Sequence, residues 1–429
     1  MSDLVDTRNP NRRGTASLQL LVLMVPVMFG LMGFGLDLGR MYLIRGELNQ
    51  AASAMAMTAA QQLIGTQASL DNATAAANEV LDNGDGFADS YNFGSVIVGQ
   101  STGQLSSQVN DPVFFSALTD ATGGGYPSGD NADGTTARHV QISLSADAPL
   151  LFWSALSLGQ SRKTSVGGMA IAGISAPLCT ACGIEPIAVA ALSSDDTVDF
   201  GFVQGTRYTF GYDCLAAPPA NPTPAPLAES TQRIPFLILD HYDAGSVLDQ
   251  SQQLYRIGAQ GLLPPTFSAA PACITINNTE LMWATAAPGP CSTPVNSDVV
   301  ALECGLYSRF DVSPPGVCQA VTNVSTLAAV YTPDPDVSDL SDYTAYQGNA
   351  TRVITVAVVD ALSTTAAMTI LGFRQFLVEP LAGDTVTNPA DTNGRFGVMY
   401  IGSPVPLRQG RFDGGCQAAS GPGKVVLHQ

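Results

Sequence analysis

A long apolar stretch without any charged residue lies near the N-terminus, between Thr15 and Leu36, where Gln19 is the one strongly polar side chain. Its length matches the ~20 apolar residues that cross a hydrocarbon core of roughly 30 Å. It is longer than the h-region of a secretory signal, ~7 to 15 residues, and no small-x-small cleavage site follows it. The pattern therefore predicts an uncleaved transmembrane anchor over residues 15–38, after a cytoplasmic lead of residues 1–14.

The helical pattern continues beyond this anchor. Met41, Ile44, Leu48 and Met55 recur close to the three- and four-residue spacing of one helical face. Alanines between residues 51 and 60 favour a helix and leave a low profile that a second helix can approach closely. We therefore expect residues 39–64 to extend the helix outside the membrane, giving a rod of roughly 75 Å at 1.5 Å per residue. Gly65 supplies the stop.

Strand patterns dominate the rest of the chain after a second helix, which is expected over residues 70–81. Strict alternation from His139 to Leu144 predicts a half-buried strand, and the apolar run from Val353 to Val359 predicts the strongest strand of the protein. The fold class is thus α+β, with an α+β exported domain over residues 65–175 and a Cys-rich, β-rich exported domain over residues 176–429. Further strands are expected at 96–98, 166–171, 187–191, 234–239, 369–376 and 394–401.

Charge and cysteine content narrow the function classes. The formal net charge is -18, from 18 basic and 36 acidic residues, so the surface repels phosphate backbones and nucleic-acid binding is not expected. All cysteines follow the anchor, and their even number favours disulfides formed in an oxidising compartment. No pairing is assigned, because eight cysteines allow 105. The disulfide candidates are Cys179, Cys182, Cys214, Cys273, Cys291, Cys304, Cys318 and Cys416.

The basic residues on either side of the anchor and the positions of the cysteines predict its orientation in the membrane. Arg8, Arg12 and Arg13 precede the apolar span, whereas Arg40 and Arg45 follow it, a small excess on the N-terminal side. Thiols in a reducing cytosol would not pair, so the cysteine distribution favours the same orientation. Both lines predict a single-pass protein with a cytoplasmic N-terminus and the bulk of the chain outside.

The pair Cys179 and Cys182 forms a CxxC motif, which has several chemical interpretations. A haem attachment is excluded because Gly183 stands where histidine is required. Zinc would need a second ligand pair at similar spacing, and a thioredoxin-type site would need a βαβ context. Structural disulfides are the favoured interpretation, with metal binding and redox chemistry as alternatives.

Other candidate sites in the sequence are weak. The turn Asn83-Gly84-Asp85-Gly86 departs from a calcium loop, because Leu81 and Asn92 would occupy the terminal ligand positions. Common catalytic motifs are absent, and His241 beside Asp240 or Asp243 is the one arguable general base. We therefore expect no enzymatic activity, no cofactor and no metal.

The N-terminal segment RRGTASLQLLVLMVPVMFGLMGFGLDLGRMYLIRGELNQAASAMAMTAAQQL carries a family resemblance. It resembles the TadE/TadG-like proteins of tight-adherence (Tad) pilus assembly: a basic lead, a Gly, an apolar span, Asp-x-Gly-Arg, then Leu-Asn and an alanine run. Two positions depart: Ser53 stands where the family usually has Asp, and Gln19 where processed pilins carry Glu. Gln19 favours an uncleaved, TadG-like protein. The anchor and helix-packing candidates are Leu18, Leu21, Pro26, Asp37, Gly39, Arg40, Leu48, Ala52 and Met55.

This resemblance implies a non-enzymatic scaffold, anchor or minor pilin of a Tad-type Flp pilus in the bacterial inner membrane. Its partners would be other pilus subunits, packed against the N-terminal helix, and the lipid bilayer. Asp240, Asp243 and Ser246 faintly resemble the metal-dependent adhesion site that some TadG-like proteins carry, although their spacing differs. Two alternatives stay open: a membrane-tethered protein that binds a surface ligand, and an oxidoreductase acting through Cys179 and Cys182.

Overall fold

The computed structural model describes more than half of residues 65–175 and of residues 176–429, and the N-terminal helix from Arg12 onwards. The described residues are 12–81, 107–109, 111–119, 132–150, 163–213, 232–239, 273–280, 297–310, 332–363, 366–380, 394–402, 405–412, 416 and 418–428. The expected strand at 96–98, the turn at 83–86 and the cluster at 240–246 lie outside them, as does His241.

The N-terminal helix α1 (Arg12–Gln61) is continuous through Pro26 and is followed by α2 (Ser69–Leu81), close to the bounds predicted from the sequence. Gly65, at a φ of 82°, makes the turn between them, in a conformation that glycine adopts without steric cost. The helices pack on one face of a five-stranded sheet of β1 (Ser107–Val109), β2 (Val113–Phe115), β3 (His139–Pro149), β4 (Lys163–Ile174) and β15 (Val425–His428).

The order of this sheet is β1-β3-β4-β15, with β2 also paired to β3. Strands β3 and β4 form a long antiparallel hairpin, and the C-terminal strand β15 pairs antiparallel with β4. The core between helices and sheet holds Val140, Ile142 and Leu144, the face predicted from their alternation. The last strand of the chain, β15, thus completes a sheet whose first strand lies some 300 residues earlier in the sequence. No local pattern indicated this pairing.

The second core is enclosed by a β-barrel. Its six strands follow the order β12-β11-β6-β8-β7-β13, and β13 pairs back with β12 to close the ring. The pairs β11–β6 and β7–β8 are parallel and the others are antiparallel. The strands are β6 (Ile187–Ala190), β7 (Arg207–Tyr212), β8 (Gln232–Ile238), β11 (Val353–Val359), β12 (Met368–Glu379) and β13 (Phe396–Tyr400).

Strand β11 shows why the sequence pattern in this region is continuously apolar. Ile354, Val356 and Val358 point into the barrel, while Val353 and Ala357 on the other face pack into outer clusters. A strand that is covered on both faces has an unbroken apolar run as its sequence. The outer covering includes a three-stranded sheet of β14 (Gly410–Arg411), β5 (Thr180–Cys182) and β9 (Cys273–Thr275), while β10 (Thr279–Glu280) extends β12.

The region between Cys273 and Cys318 corrects one expectation. Its cysteines, prolines and few apolar runs predict a loop-rich segment held by disulfides and not by a hydrophobic core. In the structure, however, α3 (Ser297–Tyr307) buries Val299, Leu302 and Leu306 in the barrel core. The physical reason is that these three residues recur at helical spacing and meet apolar side chains supplied by distant strands. The proline and cysteine content of the flanking sequence obscured that pattern.

Candidate functional site

The exposed half of α1 is the most unusual surface of the described protein. Apolar side chains from Leu18 to Leu43 stand almost entirely free, with Leu18 67% and Leu21 63% exposed. This helix is long and apolar enough to cross a membrane, and it is the one such helix among the described residues. An apolar surface that covers all sides of a helix is typical of a segment surrounded by lipid or by other helices.

The covered half of α1 begins with the partly buried Met41 and with Ile44, which is 3% exposed, and continues through Leu48, Ala52 and Met55. These side chains pack against the sheet and α2 of the same chain. Close approach is visible at Gly168 of β4, where a Cβ would lie 2.7 Å from Leu48 Cβ. The alanine-rich face is thus occupied internally, which corrects the expectation that it lies open to a partner helix. A partner of α1 would therefore contact its exposed residues and not this alanine-rich face.

Residues around the C-terminal end of the apolar span occupy different environments. Asp37 is 5% exposed although its neighbours Leu36 and Leu38 are exposed. A Cβ added at Gly35 or Gly39 would meet no atom within 4 Å, so a partner could approach the helix closely there. Arg40 is half-buried, at the level where the apolar span ends. Among the described residues no ion pair joins Arg40 to Asp37, although the two lie one helical turn apart in the sequence.

The C-terminal end of α1 is joined to the barrel through a short segment around the 3-10 helix Tyr343–Ala345. Tyr343 donates its hydroxyl proton to the Ile64 carbonyl at 2.9 Å, and the Gln67 amide donates to the Thr344 carbonyl at 2.9 Å. Ile64 also packs with Tyr343 and Tyr346 in an outer cluster of the barrel. The helix and the barrel are therefore connected by hydrogen bonds and by apolar contact.

Arg352 holds this connecting segment against the barrel. Its guanidinium group is fully buried and donates to the carbonyls of Val378 at 2.9 Å, Asp336 at 2.7 Å and Ser338 at 3.0 Å. It also donates to Glu379 Oε2 at 3.0 Å. Because a buried charge is costly unless it is paired and hydrogen-bonded, this set of acceptors is what permits arginine here.

The acids near Arg352 are perturbed by burial. Burial raises the pKa of Glu379 to about 7 in spite of Arg352, and it also raises the pKa of Asp334. Asp334 accepts a hydrogen bond from the Tyr346 hydroxyl, and the pKa of Tyr346 is raised by burial and then by that carboxylate. Perturbed acids mark functional sites in many proteins, but here each has a structural partner. We assign the cluster to the attachment of the segment.

The two cysteines of the CxxC motif form separate bridges. Cys179 is bonded to Cys416 and Cys182 to Cys273, with Cα–Cα distances of 5.7 and 4.0 Å. Cys182–Cys273 joins the paired strands β5 and β9 of the three-stranded sheet, and Cys179–Cys416 ties the residue before β5 to the C-terminal segment, so both have the structural role favoured from the sequence. Cys304 is also disulfide-bonded, whereas Cys214, Cys291 and Cys318 lie outside the described residues. No cysteine in the described ranges is free.

Sequence reasoning missed one contact, between His139 at the start of β3 and His428 in β15. Their ring centroids lie 5.3 Å apart in an edge-to-face arrangement. His139 is 8% exposed, and neither its Nδ1 nor His428 Nε2 has a hydrogen-bond partner in the described part of the chain. Burial, His428 and Arg138 together lower the pKa of His139 to about 4. The two residues are almost 290 positions apart, so no sequence spacing indicated the pair.

No protein-family model, curated protein or solved structure matches this chain. Within the described ranges, no group of three or more histidine, cysteine, aspartate or glutamate side chains is arranged to hold a metal ion.

Proposed function

We propose that this chain is a single-pass protein of the bacterial inner membrane that takes part in assembling a Tad-type Flp pilus without catalysing a reaction. The observation that carries the proposal is the division of α1 into an exposed apolar half and a covered half, with the change near Met41 and Ile44. The resemblance of residues 12–63 to TadE/TadG-like proteins supplies the biological context.

The orientation in this proposal places the N-terminus in the cytoplasm. Supporting it are the bridges Cys179–Cys416 and Cys182–Cys273, since such bonds form and persist in oxidising compartments. The sheet, the barrel and their disulfides would then lie outside the membrane. There they form an interaction domain coupled to the anchor through Ile64 and Tyr343.

Partner subunits would pack against the exposed half of α1. Gly35 and Gly39 lie one helical turn apart on one face, and a side chain added at either meets no other atom within 4 Å. Small residues at this spacing permit close helix–helix approach in membranes. A bulky residue at Gly39 would therefore block a partner without disturbing the chain's own fold.

The experiment is complementation of a strain lacking this chain, with Flp filaments counted by electron microscopy and pilus subunits captured by co-purification. We expect the unaltered chain to restore filaments and Gly39→Leu to reduce both readouts, while the matched control Leu20→Ile leaves them unchanged. N-terminal sequencing of the chain from membranes and from sheared filaments reveals whether it starts at Met1 or at Thr15. Normal filaments in the deletion strain would refute the pilus role and favour a tethered surface-binding protein.

A further inference from the structure

The exposed apolar part of α1 is longer than a bilayer core requires. Residues 18–43 extend about 39 Å at 1.5 Å per residue, whereas the hydrocarbon core is roughly 30 Å thick. The surplus of about 9 Å lies on the side of the globular part, because residues 18–36 carry no charge whereas the charged Asp37 and Arg40 follow them. That stretch contains Arg40 and Tyr42, and Arg45 follows one turn later.

These three side chains suit a layer of phospholipid headgroups. The rise from Arg40 to Arg45 is about 7.5 Å, and one headgroup layer accounts for roughly 5 to 8 Å of a bilayer. Tyr42 is 78% exposed, and tyrosine is enriched at membrane–water interfaces. Within the described part of the chain neither arginine forms an ion pair, so both guanidinium groups are available to an external anion.

The globular part begins at the same level of the helix. Ile44 and Leu48 are 3% and 1% exposed, and Gly168 of β4 touches Leu48. No linker separates the exposed apolar helix from the sheet, so a bilayer around residues 18–38 would bring its headgroups directly to Arg40 and Arg45. The whole chain, with these arginines included, has a net charge of -18, which repels anionic lipids, so Arg40 and Arg45 supply a local attraction.

We propose that Arg40, Tyr42 and Arg45 bind phospholipid headgroups of the leaflet nearer the globular part and thereby set the depth of α1 in the membrane. Guanidinium groups bind phosphate oxygens through paired, charge-assisted hydrogen bonds, and long side chains of this kind reach the interface from a helix. This inference rests on the proposed membrane anchoring and adds a ligand class and a position to it.

The test uses the full oxidised chain in nanodiscs of phosphatidylglycerol and phosphatidylcholine. Native mass spectrometry measures the ratio of the two lipids retained by the protein. We expect Arg40→Gln and Arg45→Gln each to lower the preference for phosphatidylglycerol, by about fivefold. Lysine at either position should keep the preference, and Arg411→Gln, on the exposed strand β14, is the matched control.

The depth of α1 in the membrane is measured separately with the variant Tyr42→Trp. The signal is the tryptophan fluorescence of this variant minus that of the parent chain. Nitroxide on the lipid headgroup should quench this tryptophan more strongly than nitroxide in the middle of the acyl chain. The double variant Arg40→Gln/Arg45→Gln should change that ratio. Unchanged lipid preference and unchanged depth in an inserted protein would overturn the headgroup proposal alone, whereas extraction of the chain by alkaline carbonate would overturn membrane anchoring itself.

Discussion

Acidification should weaken the attachment of the C-terminal strand, because it charges a buried histidine. His139 is nearly buried beside His428 and Arg138, and these surroundings lower its pKa to about 4 from the ordinary value of 6.5. The unfolded chain therefore binds a proton more readily than the folded chain between these pH values. The folding stability that neutral His139 contributes is fully present above pH 6.5 and is lost as the pH falls towards 4.

The structure sets the size of this effect. The full difference in pKa corresponds to a loss of about 3 kcal/mol, of which about 2 kcal/mol is lost by about pH 5. The effect should concentrate at β15, since His428 pairs with Ile171 of β4 and lies against the His139 ring. Gly173 leaves the space for that ring, because a Cβ there would collide with His139 Nδ1.

The assay is thermal unfolding of the detergent-solubilised chain at about pH 7 and about pH 5, compared between the parent and His139→Phe. Buried carboxylates also titrate in this range, so the quantity of interest is the difference between the two proteins. We expect the parent to lose about 4 to 8 °C more than the variant on acidification. His241→Gln serves as the control and should behave as the parent. An identical pH dependence in parent and His139→Phe would refute the reasoning.

Two further predictions concern the packing of α1 and the disulfides. Ala52→Glu places an unpaired carboxylate in the core between α1 and the sheet and should cost about 3 to 5 kcal/mol of folding stability. The control Met57→Glu, at a position 37% exposed, should cost little. Protease resistance measures the difference, and an equal loss in both variants would count against the packing described. The bridge between Cys182 and Cys273 closes a loop of 91 residues. Cys182→Ser removes this bridge and should lower the free energy of unfolding by about 4 kcal/mol. Denaturant unfolding with and without reductant measures this loss. A parent chain that reductant does not destabilise would contradict that expectation.

Local patterns predicted the elements whose environment is uniform along the chain. The apolar run near the N-terminus, the alternation from His139 to Leu144 and the valine-rich run from Val353 all correspond to α1, β3 and β11. Short strands such as β5 and β14 carried no comparable signal, because their stability comes from cross-strand partners and from disulfides. The core role of α3 was missed for the related reason that its apolar partners lie on other elements.

The sequence by itself determined that one long apolar helix precedes a β-rich, cysteine-containing chain, because helical and strand periodicity depend on neighbouring residues. Tertiary structure alone decided which half of that helix is covered, since the sheet that covers Leu48 and Ala52 comes from distant residues such as those of β3 and β4. It alone also decided the closure of the barrel through β12 and β13, the return of β15 to β4, and the meeting of His139 with His428. Each of these depends on pairing between distant segments, which hydrophobic pattern permits but does not specify.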